Sequence, residues 1–284
     1  GNPSDIDEFI SILKSLGLNV KVGKNIPNRV GYFSASDEDR ASEFMSFITD
    51  EEVQGIFFIR GGWGCARILD LIDFDLIKSN PKVIMGFSDI TTLLNAITAK
   101  TGLITFHGPG GNSTWNDYSL NYINQLLFEG RLAEYTNLKS DHSITTYSEG
   151  LTSGELYGGN LSVLCSLIGS DYLPDWKGKV LFLEDVMEEP YRIDRMLTQL
   201  KLSGILDKVN GVILGNFRKC TPEEPNKSFS LEEVFEQHFS AFDKPVYYGA
   251  QIGHVRNKFT VPIGVSVKMD ATNGTFTLLE PSVV

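Results

Sequence analysis

Cysteine and histidine are both scarce in this sequence, which has three cysteines and four histidines among 284 residues. Cys65, Cys165 and Cys220 are odd in number and far apart, so they do not form a disulfide framework. Either a reducing compartment or a simple shortage of cysteine accounts for this. No Cys-x-x-Cys pair or histidine-rich cluster has the spacing of metal ligands. We therefore expect no metal ion.

Basic residues are also few. The sequence has 25 lysines and arginines and 36 acidic residues, which gives a net charge of −11. Such a surface repels phosphate backbones and anionic lipid, which argues against nucleic acid as a partner. No apolar run approaches the roughly 18 to 20 residues of a membrane span. We expect a soluble, cytoplasmic protein. The chain opens at Gly1 without a methionine, so this expectation does not exclude a signal peptide upstream.

Apolar runs of strand length alternate with helical patterns in the first part of the sequence. Strands are predicted over 19–22, 55–59 and 81–85, and helices over 5–16, 37–49 and 90–100. This alternation favours right-handed crossovers and a parallel sheet, whose chemistry lies at the carboxyl ends of the strands.

The alternation of predicted strands and helices becomes irregular after residue 112 and is regular again from about residue 154. The predicted fold class is α/β, with an N-terminal parallel-sheet (Rossmann-like) domain over 1–112, a connection over 113–153 and a C-terminal mixed α/β domain over 154–284. The connection carries one amphipathic helix over 118–128. The second domain has predicted strands at 180–184, 211–215 and 246–248, helices at 161–168, 191–203 and 231–239, and a hairpin within 264–279.

Ser88 is the first candidate for a catalytic residue. It follows an apolar strand and precedes a helix, in the run Met-Gly-Phe-Ser-Asp at 85–89. A serine on such a turn lifts its hydroxyl clear of the sheet, and the N–H groups at the helix start can hold an oxyanion. The nucleophile-elbow pattern has a second glycine where this sequence has Ile90, so the chain is not an ordinary α/β-hydrolase. Alternatively, Ser88 only caps the helix.

A serine nucleophile needs a general base, and the four histidines are the candidates. His142 falls in the polar connection and His238 in a charged helical pattern, so both are expected to be solvated. His107 follows a strand and can line a site. His254 follows a strand and a loop of small residues that exposes it, so the pattern favours His254, with a structural role as the alternative.

Glu184 is the candidate for the third position, because it ends a predicted buried strand and has Asp185 beside it. A carboxylate there can orient an imidazole and stabilise its cation, or it can face solvent. The order serine, glutamate, histidine is also that of α/β-hydrolases.

A glycine-rich turn, Arg-Gly-Gly-Trp-Gly at 60–64, follows another predicted strand. It can cradle a phosphate at a helix N-terminus, or its backbone can approach an oxyanion. Its spacing matches neither a dinucleotide-binding nor a P-loop pattern, so the nucleotide interpretation is weak. The glycines can also serve only to allow positive φ in the turn, which is compatible with the phosphate and the oxyanion interpretation alike.

Taken together, these blocks resemble the LD-carboxypeptidase family of serine peptidases. In chain order they are Arg60-Gly61-Gly62-Trp63-Gly64, Asn80-Pro81-Lys82, Gly86-Phe87-Ser88-Asp89-Ile90-Thr91, Thr101-Gly102-Leu103, His107-Gly108-Pro109, Gly158-Gly159-Asn160-Leu161, Leu183-Glu184-Asp185, Tyr191-Arg192-Ile193-Asp194-Arg195, Gly253-His254 and Pro262-Ile263-Gly264. The resemblance spans nearly the whole chain. One departure is that the family usually has a strand and a small-residue loop before its first helix, and this sequence lacks them.

The resemblance implies a triad of Ser88, Glu184 and His254 in a cleft between the two domains. It implies that the enzyme hydrolyses the bond between meso-diaminopimelate and the terminal D-alanine of murein tetrapeptides, in cell-wall recycling, through an acyl-enzyme and without a metal or cofactor. Backbone N–H groups of Gly62 and Asp89 are the candidate oxyanion donors. A homodimer is expected from the family.

Two rival functions remain at this stage. A second branch of the family, the microcin C self-immunity proteins, cleaves peptide-nucleotide antibiotics, but the blocks at 184–186 and 190–194 look more like the murein branch. A non-catalytic protein that binds a ligand in the cleft is the other rival. For substrate contacts, we expect Trp63 to form an apolar wall and Arg256 to clamp a carboxylate, unless Arg256 pairs with surface carboxylates instead.

Overall fold

The computed structural model describes residues 3–138 and 143–283, and the strands within them form two sheets. The α-helices are α1 (Pro3–Ser15), α2 (Asp37–Thr49), α3 (Phe74–Ser79), α4 (Thr91–Thr101), α5 (Asp117–Ile123), α6 (Leu161–Leu167), α7 (Pro190–Leu202), α8 (Ile205–Lys208) and α9 (Leu231–Phe239). Shorter 3₁₀ segments span Cys65–Leu71, Ser88–Ile90 and Pro225–Lys227, and a π-helical turn spans Asn124–Phe128.

The strands are β1 (Gly55–Phe57), β2 (Val83–Gly86), β3 (Thr105–His107), β4 (Glu134–Tyr135), β5 (Thr145–Ser148), β6 (Leu151–Asn160), β7 (Val180–Val186), β8 (Gly211–Arg218), β9 (Val246–Tyr248), β10 (Val261–Ile263), β11 (Ser266–Asp270) and β12 (Thr275–Leu278). No helix in the described ranges is both long enough and apolar enough to cross a membrane.

The smaller sheet has the strand order β1-β2-β3-β10. Its first three strands are parallel, whereas β10 runs antiparallel to β3, with Val261 opposite His107. The sheet that carries the serine turn is therefore completed by a strand from the C-terminal part of the chain.

The larger sheet has the order β4-β12-β11-β6-β7-β8-β9-β5. Its centre, β6 to β9, is parallel, and the strands on both sides of this centre are antiparallel. All residues of β7 from Val180 to Asp185 are buried, as expected for a parallel strand covered on both faces. The prediction of a parallel N-terminal sheet and a mixed C-terminal α/β unit is thus confirmed.

Most of the predicted helices and strands are present, with ends displaced by a few residues, but one prediction was wrong. Residues 19–22 form no strand, because no neighbouring strand pairs with them. The helix predicted over 118–128 is α5 followed by the π-helical turn. In addition, the predicted connection contains β4 and β5, which pair with β12 and β9. The division at 112 and 154 stays a prediction.

Thr91, the first residue of α4, links the two sheets. Its Oγ1 accepts a hydrogen bond from the backbone N–H of Asn160, at the end of β6, with a distance of 3.0 Å. Both residues are buried. Gly159 allows this approach, since it has a φ of +141° and a Cβ at that position would lie 2.5 Å from Thr91 Oγ1. The turn that carries Ser88 is therefore fixed to the strand beside β7.

We predict that Thr91→Val lowers the free energy of unfolding by about 1–3 kcal/mol, because valine keeps the side-chain shape but leaves the buried Asn160 N–H without its acceptor. Thr92→Val is the matched control, because the Thr92 hydroxyl is fully buried without a hydrogen-bond partner in the described structure. Its stability should stay level or rise slightly. Urea unfolding measures both variants, and equal losses would contradict the assigned role of Thr91.

Candidate active site

Ser88 lies on a sharp turn directly after β2 and opens the 3₁₀ segment that leads into α4. Its φ is +63°, in the left-handed region that non-glycine residues rarely adopt and that often marks functional sites. Gly86 makes room for the turn, because a Cβ there would come within 2.9 Å of the Ile90 side chain. Ser88 thus adopts the strained conformation although Ile90 occupies the position of the second glycine in the nucleophile-elbow pattern.

Glu184 and His254 are joined by a partly buried hydrogen bond of 2.7 Å between Glu184 Oε2 and His254 Nδ1. Glu184 is 0% exposed and lies where the pairing of β7 with β8 shifts register. Such irregularities often redirect a side chain beside an active site. Gly253 allows the close approach, since its φ is +106° and a Cβ there would lie 2.4 Å from Glu184 Oε2.

The His254 ring also packs on Phe87, with the ring centroids 4.8 Å apart. Phe87 precedes Ser88, so the structure brings the imidazole to within one residue of the serine. Glu184 on β7 and His254 in the loop before β10 are therefore in direct contact, and the His254 ring lies against Phe87, the residue before Ser88.

The charge state of Glu184 is set by two opposing effects. Burial alone would raise the pKa of this carboxyl, but the hydrogen bond from His254 and the charge of that imidazole outweigh burial and hold the pKa below its ordinary value. Glu184 is therefore available as a carboxylate that orients the ring and stabilises its cation.

Asp185 is the buried neighbour of Glu184 and serves a different set of contacts. Burial, followed by the charge of Glu184, raises its pKa to about 7. It accepts hydrogen bonds from Asn160 Nδ2 at 3.0 Å, from the N–H of Ser162 at 2.9 Å and from the N–H of Val186 at 2.8 Å. Asp185 thus ties β7 to the end of β6 and the start of α6.

The other histidines occupy different environments. His238 bonds to Asp194 at 2.8 Å on the helical face of α7 and α9, away from the site, and His142 lies outside the described residues. His107 is 1% exposed, and neither of its ring nitrogens has a partner in the described structure. Burial lowers its pKa to about 4, so His107 is neutral.

The glycine-rich turn lies against the serine. A Cβ on Gly61 would be 2.6 Å from Ser88 Cβ and 2.7 Å from Ser88 Oγ, so the backbone at Gly61 lies directly against the serine side chain. The N–H of Cys65 donates to Asp89 Oδ2 at 2.9 Å, which holds this turn to the serine turn. Trp63 is 54% exposed and does not line the cavity described below.

A cavity of about 670 Å³ opens beside His254 and Phe87. We call it the cationic cleft, because Arg218, Lys219, Arg256 and Lys258 line it and no described aspartate or glutamate does. Arg256 is exposed and forms no ion pair with a carboxylate of the described chain. Sequence reasoning missed Lys258, because no motif or spacing marks a lysine that only the fold brings beside Phe87. No cluster of three potential metal ligands occurs within the described ranges.

Two family models match the chain. The LD-carboxypeptidase N-terminal domain matches residues 1–108, and the LD-carboxypeptidase C-terminal domain matches residues 153–269. The chain belongs to the LD-carboxypeptidase family. Family membership, together with the relatives below, makes this protein an enzyme of the serine-type carboxypeptidase class.

Both curated and solved relatives cover most of the chain. The probable murein peptide carboxypeptidase of Bacillus subtilis is 39% identical over 281 residues, which is 96% of this chain and 86% of the relative. The wild-type apo structure of the microcin C7 self-immunity protein MccF has a TM-score of 0.89 at 27% identity and covers 99% and 92% of the two chains. The muramoyltetrapeptide carboxypeptidase from Oxalobacter formigenes has a TM-score of 0.85 at 28% identity, with 98% and 94% covered.

We predict that His107→Leu makes the protein less sensitive to acid. In the unfolded chain this histidine gains a proton below pH 6.5, whereas in the folded protein it stays neutral until about pH 4, so the wild type loses stability as pH falls through this window. The loss is on the order of 1 kcal/mol per pH unit. Leucine removes this contribution and leaves no unpaired nitrogen behind.

Urea unfolding at pH 7 and pH 5 tests this prediction, with the partly exposed His238→Gln as the control. The stability of His107→Leu relative to the wild type should rise on acidification. The same relative stability at both pH values would mean that His107 takes up its proton over the same pH range in the folded and unfolded protein.

Proposed function

We propose that this carboxypeptidase releases the terminal D-alanine from murein tetrapeptides during cell-wall recycling, by hydrolysing the LD-peptide bond with a Ser88-Glu184-His254 triad. The observation that carries the proposal is the hydrogen bond that His254 Nδ1 donates to the fully buried Glu184 carboxylate, with the His254 ring packed on the residue before Ser88. The names of the Bacillus and Oxalobacter relatives support the substrate.

The proposed reaction begins with proton transfer. The hydrogen bond to Glu184 holds Nδ1 of His254, which leaves Nε2 to take the proton of Ser88 as the hydroxyl oxygen attacks the scissile carbonyl. Glu184 stabilises the resulting imidazolium. His254 then donates this proton to the leaving D-alanine amine as the C–N bond breaks, and water hydrolyses the ester on Ser88.

The oxyanion of the tetrahedral intermediate needs donors beside the serine. We assign this role to the backbone N–H groups of Asp89, the residue after Ser88, and of Gly62. The packing of Gly61 against Ser88 supports this choice, because Gly62 is the next residue along the chain. One such donor is typically worth about 3–4 kcal/mol of barrier.

Hydrolysis of a peptidyl- or aminoacyl-nucleotide is the second candidate. The fold similarity to the MccF self-immunity protein favours it, and the cationic cleft suits a phosphate as well as a carboxylate. The higher identity to the Bacillus murein peptide carboxypeptidase favours the first candidate. A binding protein without catalysis is disfavoured by the strained serine and by family membership.

We further propose that residues 1–112 and 154–284 act as two domains with the active site between them, and that the enzyme works as a cytoplasmic homodimer. The contacts of His254 with Glu184 on one side and Phe87 on the other support a shared site. The compartment and the dimer follow the expectation from the family.

Ser88→Ala should lower kcat for D-alanine release from murein tetrapeptide on the order of 10⁵-fold, because it removes the nucleophile. The exposed Ser166→Ala is the control and should keep full activity. Mass-resolved product analysis measures the release, and a fluorophosphonate probe should label the wild type and the control but not Ser88→Ala.

The same assay separates the candidates when an aminoacyl-adenylate mimic is offered beside the tetrapeptide. Cleavage of the tetrapeptide alone is the expected result. Cleavage of the mimic alone would establish the second candidate, and full peptidase activity in Ser88→Ala would refute the triad.

Gly61→Ala should lower kcat/KM about 100-fold, because the added methyl group displaces Ser88 or the oxyanion donors, and small misplacements have effects of this size. Gly23→Ala is the control, since its methyl group would meet the flexible carboxylate end of Glu43. Steady-state kinetics and thermal melting of both variants test the prediction. A fully active Gly61→Ala would place the oxyanion site elsewhere.

A further inference from the structure

The cationic cleft has a charge opposite to that of the protein as a whole. The chain has a net charge of −11, yet four cationic side chains and no described carboxylate line this cavity. Clefts lined by one sign of charge raise the local concentration of ligands of the other sign. The ligand of the cleft is therefore an anion.

Lys258 differs from the other three cations in its burial. It is 4% exposed, whereas Arg218, Lys219 and Arg256 are exposed at the rim. A buried ammonium is costly unless a counterion or several acceptors surround it. Rim charges mainly speed up encounter, whereas buried ones determine which ligand is held.

The surroundings of Lys258 give its ammonium few hydrogen-bond acceptors and no paired carboxylate among the described residues. Its Nζ donates to Ser113 Oγ at 3.3 Å and lies 4.3 Å from the ring centroid of Phe87, and it forms no ion pair within the described chain. The charged groups that act on it are Glu184 and Arg218. Burial outweighs Glu184 and lowers the pKa of Lys258 to about 8, so near neutral pH it is still largely an ammonium.

The position of this ammonium fits one end of a peptide substrate. Phe87 contacts both Lys258 Nζ and the His254 ring, and it precedes Ser88. In a peptide cut at its last bond, the terminal carboxylate lies one residue beyond the scissile carbonyl, roughly 3.8 Å along the chain. A carboxylate bound by Lys258 would therefore put that last bond near the serine.

We propose that Lys258 binds the free C-terminal carboxylate of the substrate and thereby makes this enzyme a carboxypeptidase. The inference rests on the proposed function and adds the residue that selects a free chain end. Ser113 holds the ammonium in place, and Arg256 at the rim guides the anion inward.

The test compares the murein tetrapeptide with two amidated forms. One form carries a carboxamide in place of the terminal D-alanine carboxylate, and the other has the side-chain carboxylate of diaminopimelate amidated. The wild type should cleave the first form on the order of 100-fold less efficiently in kcat/KM than the free acid. This comparison uses the wild type alone. Equal values of kcat/KM for the free acid and for the terminal carboxamide would overturn the proposal.

Lys258→Met should lower kcat/KM for the free acid to about the level of the terminal carboxamide, chiefly through KM, and should lower the rate on that carboxamide by a much smaller factor. Lys258→Arg should restore part of the preference, and the exposed Lys268→Met should keep all of it. The preference of the wild type should also decline above about pH 8. A purely structural role for Lys258 would lower both rates equally.

The second amidated form distinguishes the terminal carboxylate from the side-chain carboxylate of diaminopimelate. Lys258→Met should lower the rate on this form by the same factor as on the free acid. If amidation of diaminopimelate instead removes the effect of Lys258→Met, the lysine binds that carboxylate and the proposal is wrong.

Calorimetry of peptide binding to the Ser88→Ala variant tests the role of Lys258 separately from the proposed function, because binding does not require catalysis. If the wild type releases no D-alanine, the proposed function fails, and tighter binding of the free acid than of the terminal carboxamide, lost on adding Lys258→Met, would still support the lysine. Equal binding of both peptides would overturn it.

Discussion

The hydrogen bond between the buried Glu184 and His254 is the interaction on which the rest of the site depends. A carboxylate with no solvent exposure persists as an anion only when a partner compensates for the lost hydration, and the imidazole is that partner. In return, the carboxylate fixes which ring nitrogen is free. Gly253 makes the contact possible, because a larger residue would overlap Glu184.

A closed chain of contacts holds this pair beside the serine turn. His254 packs on Phe87, the start of α4 bonds through Thr91 to Asn160, and Asn160 lies beside Glu184 in the pairing of β6 with β7. The strand β10, which follows the histidine loop, then pairs with β3 of the smaller sheet. Because the chain returns to the smaller sheet after leaving the larger one, residues far apart in sequence keep fixed relative positions.

Much of this arrangement could be predicted from local pattern, and the reasons are physical. Ser88 sits between a buried strand and a helix, Glu184 ends an apolar run, and the hairpin turn at Gly274 has the positive φ that its glycine suggests. These features depend on near neighbours in sequence. The helix predicted over 37–49 is present as Asp37–Thr49, and the Ser36 side chain caps it by accepting from the N–H of Asp39.

Features that depend on distant pairing could not be predicted. The strands β4 and β5 are short and polar, and they exist because β12 and β9 supply partners more than 90 residues away. Lys258 has no pattern around it, and only the packing of its loop on Phe87 and Ser113 shows that its ammonium is buried. The need for glycine at position 61 likewise arises from contact with Ser88, which is distant in sequence.

The central claim is that Ser88, His254 and Glu184 act as one unit on a single carbonyl. The most direct measurement is a crystal structure of the enzyme inactivated by a phosphonate analogue of the tetrapeptide. The account predicts a covalent bond to Ser88 Oγ, a phosphoryl oxygen held by the N–H groups of Gly62 and Asp89, and His254 Nε2 within about 3 Å of Ser88 Oγ. An adduct on another residue, or an imidazole that stays out of reach of Ser88 in that complex, would contradict it.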